Sequence, residues 1–441
     1  MIDAPIRVSK PTIHMKLPRK RIFFWVVVGV CLVGLLLSLL ISIFVQFTHP
    51  GLAPRLILEQ DIPLPGAFPD AYRTSEQPVA PGLSVLFDHF DFMGLDPHTH
   101  LLFIAHSGPA PDREQQVNPK FNPETDAKYD GNVIVFDTLK KKVVAVLDIP
   151  QGAGVVVAPD LAKVYVADAN DNIIYAINEH TLKYSAIPLQ DNDSPDGITY
   201  DQADHLIAVS NPGTPPNADT NIIARKNQNE TFIDALTDKV VARVPLGIDG
   251  QWGDDVGHVK FDSGLHRFYV AVQQLADPNS LDPNLLPPPG TAWLVAIDPV
   301  TFHVASRMKL PNNCITPHGM TIDTALHIAF IACVDEDPPS LIRVDLQSMR
   351  VFPEAPWPVA LKPDIVVLDS THHLLYVACG AGIALFQEQG KALKWLGTYP
   401  FGVSTHTLAV NEQTQEIYLP LIRQGNRPVL RILRYNPNAN N

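Results

Sequence analysis

The sequence predicts an all-β protein: a seven-bladed β-propeller of four-stranded blades, preceded by one transmembrane helix. Three observations predict it. A strand–turn–strand segment recurs seven times along the chain. The 441 residues include 41 prolines and only 18% charged residues, a poor composition for long helices. One uncharged apolar run separates a basic start from an acidic remainder. With 46% hydrophobic residues the chain can bury a sizeable core, which sets it apart from disordered sequences.

The first element is membrane-directed. Ile22–Val45 is 24 residues without a charge. As a helix it would reach about 36 Å, enough for a hydrocarbon core of about 30 Å with some tilt. The run is longer than a signal-peptide core, and no A-x-A cleavage pattern follows it. Six basic residues precede it (Arg7, Lys10, Lys16, Arg19, Lys20, Arg21) against Asp3 alone. That bias places the N-terminus in the cytoplasm. The expected organisation is a basic cytoplasmic segment 1–21, a transmembrane helix 22–47, an extracytoplasmic propeller 48–436 and a short tail 437–441. The whole chain carries −13, so everything beyond residue 21 carries −18. That acidity argues against nucleic acid and other anionic polymers as partners.

The repeat is read by aligning the residues that open each first turn: Asp96, Ala158, Asp201, Asp262, Asp323, Asp369 and Asn411. Their spacings are 62, 43, 61, 61, 46 and 42. The short spacings define a period near 44, and each long one carries about 18 extra residues. A second pair of β-branched and aromatic runs follows each segment. Four strands per period, seven times over, is the pattern of a propeller. Too few residues follow Asn411 for a full blade. LILEQDIPL (Leu56–Leu64) resembles the fourth strands and is expected to complete the last blade, removing the open sheet edges.

The runs KVYVADANDNIIYAI, LLYVACGAGIAL and VIVFDTLKKKVVAVLDI resemble the YVTN, or YncE-type, β-propeller repeat family. CITPHGMTID–IAFIAC also resembles a blade of that family. The resemblance extends over about Leu56 to Tyr435. It implies the fold strongly and a function weakly, because propellers host many unrelated roles. Blade 2, which begins with Ala158, and the three insertions depart from the plain consensus.

The insertions, roughly Ser107–Asp130, Asn211–Glu230 and Gln274–Thr291, all join second to third strands. They are therefore expected on one face. Five residues before each turn anchor stand Asp91, Ala153, Asp196, Gly257, His318, Asp364 and His406. These begin the innermost strands on that same face, with His89 and His258 beside them. The axial candidates Asp91, Asp196, His318, Asp364 and His406 could hold a divalent cation, calcium or zinc. The competing structural reading is turn capping by Asp, favoured in PDG and PHG sequences.

A second histidine set (His100, His205, His266, His327, His373) lies four residues after its anchors, in turns on the opposite face. It reads as a repeat consensus position. Neighbouring turns are expected to lie too far apart to share one tetrahedral ion. Cys314 and Cys333 flank one hairpin and are candidates for a disulfide; Cys333 and Cys379 are the alternative pair. No catalytic residue is assigned. G-x-S-x-G, H-E-x-x-H and P-loop motifs are missing from the sequence, as is any tryptophan in register with the repeat. The expected function is a membrane-anchored, extracytoplasmic scaffold binding a protein, peptide or cell-surface polymer through its insertion-bearing face. The alternatives are a metal-dependent, lactonase-like hydrolase or lyase at the propeller axis, and a purely structural assembly protein.

Overall fold

The repeated segments form antiparallel meanders because each pairs a β-branched run with the next across a tight polar turn. The structure is a computed structural model that describes residues 55–65, 89–107, 131–149, 152–169, 171–213, 227–248, 253, 255–273, 291–354, 356–401, 406–424 and 427–439. The expected transmembrane segment 22–47 and the bodies of the three insertions lie outside these residues. Among the described residues no helix is long and apolar enough to cross a membrane.

Seven sheets are formed by the described residues. Blades 1 to 6 run His89–Leu147, Gly152–Pro188, Ile198–Pro245, Val256–Lys309, Pro317–Pro358 and Pro363–Pro400. Blade 7 is built from Ala409–Asn411, Glu416–Gln424 and Arg427–Tyr435, and its outer strand is Leu56–Pro63. Leu56 pairs with Tyr435 and Pro63 with Val429 in an antiparallel ladder. Arg431 clasps Asp61 with two hydrogen bonds of 2.7 and 2.8 Å, and Arg434 pairs with Glu59. Leu56–Tyr435 is one unit; the other, described at Arg55 and 436–439, is tied by the Asn436 N–H donating to the Arg55 carbonyl at 2.7 Å.

Burial explains the two kinds of strand pattern. Second and third strands are covered by neighbouring blades on both faces, so LLFIAHS, NVIVFD and LLYVAC are buried almost throughout. Outer strands have one wet face, and KVVAVL alternates accordingly. Seven residues after the anchor stand Phe103, Tyr165, Ala208, Tyr269, Phe330, Tyr376 and Tyr418, all buried. Each large apolar side chain buried in this way contributes about 1.5–3 kcal/mol. In blade 5 the outer strand is broken into Arg350–Val351 and Trp357–Pro358. The buried Arg343 guanidinium fills the break, 4.3 Å from the Phe352 ring and 5.1 Å from the Trp357 ring.

The turn anchors cap their turns. Asp201 Oδ1 accepts from the Ala203 N–H, Asp323 Oδ1 from those of Ala325 and Leu326, and Asn411 Oδ1 from that of Gln413. The residue four places on is left-handed in all seven blades: His100, Ala162, His205, His266, His327, His373 and Gln415, with φ from 48° to 60°. Polar side chains tolerate that region better than bulky apolar ones. Blade 2, without an Asp anchor, makes the same turn through a 3-10 segment, Pro159–Leu161.

Cys314 and Cys333 form a disulfide across the first hairpin of blade 5, and Cys379 is a buried free thiol. The bridge closes a loop with sequence separation 19, for which chain-entropy arguments give about 3 kcal/mol. The double substitution Cys314→Ala/Cys333→Ala is expected to lower unfolding free energy by about 2–4 kcal/mol in denaturant titration. Gly319 packs on the next blade so closely that an added Cβ would stand 1.4 Å from the Asp364 carbonyl oxygen. Gly319→Ala is expected to cost at least about 1–3 kcal/mol as an overpacked site, read from the same titration.

Candidate axial site

The innermost strands place the site. In five blades their ladder shifts register at one place: between Phe90 and Met93, Gly152 and Val155, Val256 and Val259, Pro317 and Met320, and Pro363 and Val366. Such bulges re-aim side chains. Here the two unpaired residues are Asp91–Phe92, Ala153–Gly154, Gly257–His258, His318–Gly319 and Asp364–Ile365. The glycines serve close approach. Added Cβ atoms would meet Asp196 O at 2.0 Å from Gly154, His258 Cα at 3.0 Å from Gly197 and His318 O at 2.6 Å from Gly257. Each inner strand therefore lies flush against the next one. In the PDG and PHG sequences, Gly admits the neighbouring blade and the preceding Asp or His turns toward the axis.

The side chains converge. His406 Nε2 lies 2.5 Å from Asp364 Oδ2 and 3.6 Å from Asp91 Oδ1. His258 Nε2 and His318 Nε2 lie 3.6 and 3.7 Å from Asp364 Oδ1. Ligand atoms of Asp196, His258 and His318 lie within 4.8 Å of one another. The His258 and His318 ring centroids are 4.8 Å apart, and Phe92 of blade 1 packs on His258 of blade 4 at 4.6 Å. All five axial candidates thus belong to one cluster. The sixth member, His258, had been set beside the ring because Gly257 holds the aligned position. The bulge brings the next residue inward instead, and a Gly–His pair at that register is the signal. The His89 side chain lies outside the described residues.

The electrostatics follow from burial and mutual charge. Burial would raise the Asp364 carboxyl. The His406 and His318 charges and the hydrogen bond from His406 outweigh it and hold Asp364 well below the usual carboxylate range. Asp196 is raised, by burial first and then by the Asp91 charge. His258 is driven well below the ordinary imidazole value by burial and by His318. His406 is raised well above it, because the Asp364 and Asp91 charges overcome burial. Lys260, two residues past His258, is lowered to about 8 by burial. The turn caps described above belong to the anchors further along each strand.

The insertion stems open on this face. His89 pairs with Ser107 and Val256 with Val272, and the Asp196 N–H donates to the Ser210 carbonyl at 3.0 Å. In blade 3 the strands reach Asn211 and resume at Asn229, so the insertion is shorter than Asn211–Glu230. At its base lies a buried polar network unmarked by any motif. Asp193 pairs with Arg243 and accepts from Asn229 Nδ2 at 3.1 Å, and Asn211 Nδ2 donates to Asn229 Oδ1 at 3.0 Å.

On the opposite face three of the turn histidines reach back to the preceding blade, whereas His373 Nδ1 lies 3.8 Å from Glu388 Oε2 of its own blade. His327 Nδ1 lies 2.9 Å from Asp262 Oδ2, His205 Nδ1 3.2 Å from Asp160 Oδ2, and His266 Nε2 2.7 Å from Asp204 Oδ2. Adjacent turns do meet, contrary to the expectation from distance alone. Asp201, Asp204 and His266 present ligand atoms within 4.8 Å of one another. At His205, His266 and His327 the left-handed residue projects its side chain across the blade interface.

Two interfaces hold carboxyl pairs there. Glu179 faces Asp96 and accepts from Thr99 Oγ1 at 2.7 Å. Burial, reinforced by the Asp96 charge, pushes Glu179 up to about 7; burial and Asp323 push Glu388 up to about 8. A carboxyl raised in the folded state stabilises fully below its unfolded value, and that contribution is lost as pH rises through the folded value. Glu179→Gln keeps a donor toward Asp96 and an acceptor for Thr99. The variant is expected to match the parent near pH 4.5 and to exceed it by on the order of 1 kcal/mol near pH 8, in melts across that window.

No protein-family model matches the chain, and no curated protein matches it. Solved structures do match in fold. A hydrazine synthase chain from Kuenenia stuttgartiensis aligns with TM-score 0.56 at 12% identity, covering 78% of this chain and 96% of that one. A chain of a mitotic checkpoint complex aligns with TM-score 0.56 at 7% identity, covering 86% and 92%. The WD40 repeats of RRP9 align with TM-score 0.53 at 9% identity, covering 78% and 94%. At these identities the likeness defines the class: a seven-bladed β-propeller.

Proposed function

We propose that this chain is a membrane-tethered, extracytoplasmic propeller of the YVTN, or YncE-type, kind that works as a binding scaffold through its insertion-bearing face. One observation carries the reading: the stems of the insertions at Ser107, Gly213 and Gln273 open on the same face as the axial Asp and His cluster. A rigid ring holding variable loops around a polar mouth is an arrangement for recognition. The tether is supported by the uncharged run Ile22–Val45 with its basic flank. The −18 balance beyond residue 21 favours a protein or peptide ligand, or a surface polymer, that presents neutral or cationic groups.

The test places photo-crosslinking residues at Gly213 and Gln273, with Leu236 in an opposite-face turn as the control, in cells expressing the full chain. Adducts are expected from the first two positions and not from Leu236. Adducts from Leu236 alone would refute the assigned face. External protease on intact cells is expected to digest the propeller and spare the N-terminal segment.

A second reading, a metal-dependent hydrolase or lyase, is favoured by the convergence of His258, His318 and His406 on three carboxylates. In it the mouth would be the reaction site as well as the recognition site.

A further inference from the structure

We propose that the axial mouth is a three-ligand site for a zinc-class divalent cation, with Asp196, His258 and His318 as ligands and a fourth position open toward the mouth. The assignment deepens the reading of the mouth as the working site and rests on it.

The donor set comes first. Two imidazoles and one carboxylate suit zinc and other first-row divalent ions, whereas calcium takes oxygen ligands throughout. The three donors come from blades 3, 4 and 5, and their ligand atoms already lie within 4.8 Å of one another. Metal–ligand bonds of about 2.0–2.2 Å then require only small side-chain rotations.

A second observation is the hydrogen bonding. His258 Nε2 and His318 Nε2 face Asp364 Oδ1 at 3.6 and 3.7 Å, too far for hydrogen bonds. Asp364 is 6% exposed, and its Oδ1 is buried with no hydrogen-bond partner among the described residues. His318 Nδ1 is buried without one as well. Buried polar atoms are paired in the great majority of cases. Asp364 Oδ1 and His318 Nδ1, both buried and unpaired within this one cluster, fit a site that takes a charged partner. A cation held by the two imidazoles supplies it. Asp364, fixed through Oδ2 by His406 at 2.5 Å, then stands beside both rings as an outer anion that balances the charge of the cation.

The packing fits the same picture. Gly197 and Gly257 let the backbones of blades 3, 4 and 5 approach to contact, which brings His258 and His318 beside Asp196. Phe92 closes the apolar side of His258. The other three-donor group, Asp201–Asp204–His266, is a weaker candidate. Its His266 Nε2 is already bonded to Asp204 at 2.7 Å, and both side chains are 40% exposed.

The experiment uses the full chain in detergent, stripped with chelator, dialysed, and titrated with cobalt or zinc chloride. Elemental analysis and cobalt visible absorption read the occupancy. About one equivalent is expected in the parent, with nitrogen-ligated cobalt bands. His258→Gln and His318→Gln are each expected to weaken binding by more than about 100-fold, beyond what loss of a group behind the ligands costs. His266→Gln is expected to change nothing. Circular dichroism and melting confirm that each variant is folded, and Asp196→Asn replaces any histidine variant that is not. A folded parent that retains no metal, or binds calcium alone, overturns the proposal; so does undiminished binding in both folded histidine variants, or loss in His266→Gln. Metal failure with crosslinking intact at Gly213 and Gln273 refutes the cation and leaves the scaffold. Lost crosslinking with metal retained refutes the scaffold and leaves the cation.

Discussion

The burial of each sheet against both of its neighbours is the constraint on which the remaining structure depends. A lone four-stranded sheet of this composition would expose an apolar face and an open edge. Seven of them in a ring cover every second and third strand on both sides. That requirement explains the continuous apolar runs LLFIAHS and LLYVAC, and also the closure. Blade 7 has three strands of its own, so Leu56–Pro63 must supply the fourth. The ring is thus sealed by the segment that follows the hydrophobic N-terminal run, and the Arg431–Asp61 clasp holds the seam.

The same packing builds the mouth. Where inner strands crowd toward the axis there is no room for side chains between them, and glycine stands at Gly154, Gly197, Gly257 and Gly319. In blades 4 and 5 the bulge turns His258 and His318, beside Gly257 and Gly319, into the channel, and in blade 3 Asp196 precedes Gly197 at the strand entry. Carboxylates and imidazoles from distant parts of the chain therefore meet at hydrogen-bonding and ligand distances. Their charges are partly compensated within the cluster: Asp364 is paired with His406, and His258 is kept neutral by burial. On the opposite face the left-handed His205, His266 and His327 reach the preceding blade and serve blade-to-blade contacts such as His327 with Asp262.

Much of this was legible in the chain itself. The period near 44, the strand pairs and the seam at Leu56–Leu64 could be read from residue order, because strand pattern and repeat length are local properties. So could the convergence of Asp91, Asp196, His318, Asp364 and His406, since equal register in a closed ring implies a shared axis. Other features were out of reach. His258 was misjudged by one residue because a bulge is a property of the ladder and not of the repeat. The reach of His266 to Asp204 was missed because φ at the turn, not distance from the axis, sets the direction of the side chain. The disulfide choice between Cys333–Cys314 and Cys333–Cys379 depended on which strands pair and which face neighbours.

What the sequence determined by itself was therefore the class of fold, the number of blades, the closing strand and the face on which polar groups gather. Each follows from periodicity, which survives in one dimension. Only the tertiary structure decided which six side chains touch, which carboxylates cap turns and which face the channel, and which atoms are left without partners. Those are matters of a few ångströms between blades separated by 40 residues or more, and backbone bulges and glycine contacts settle them.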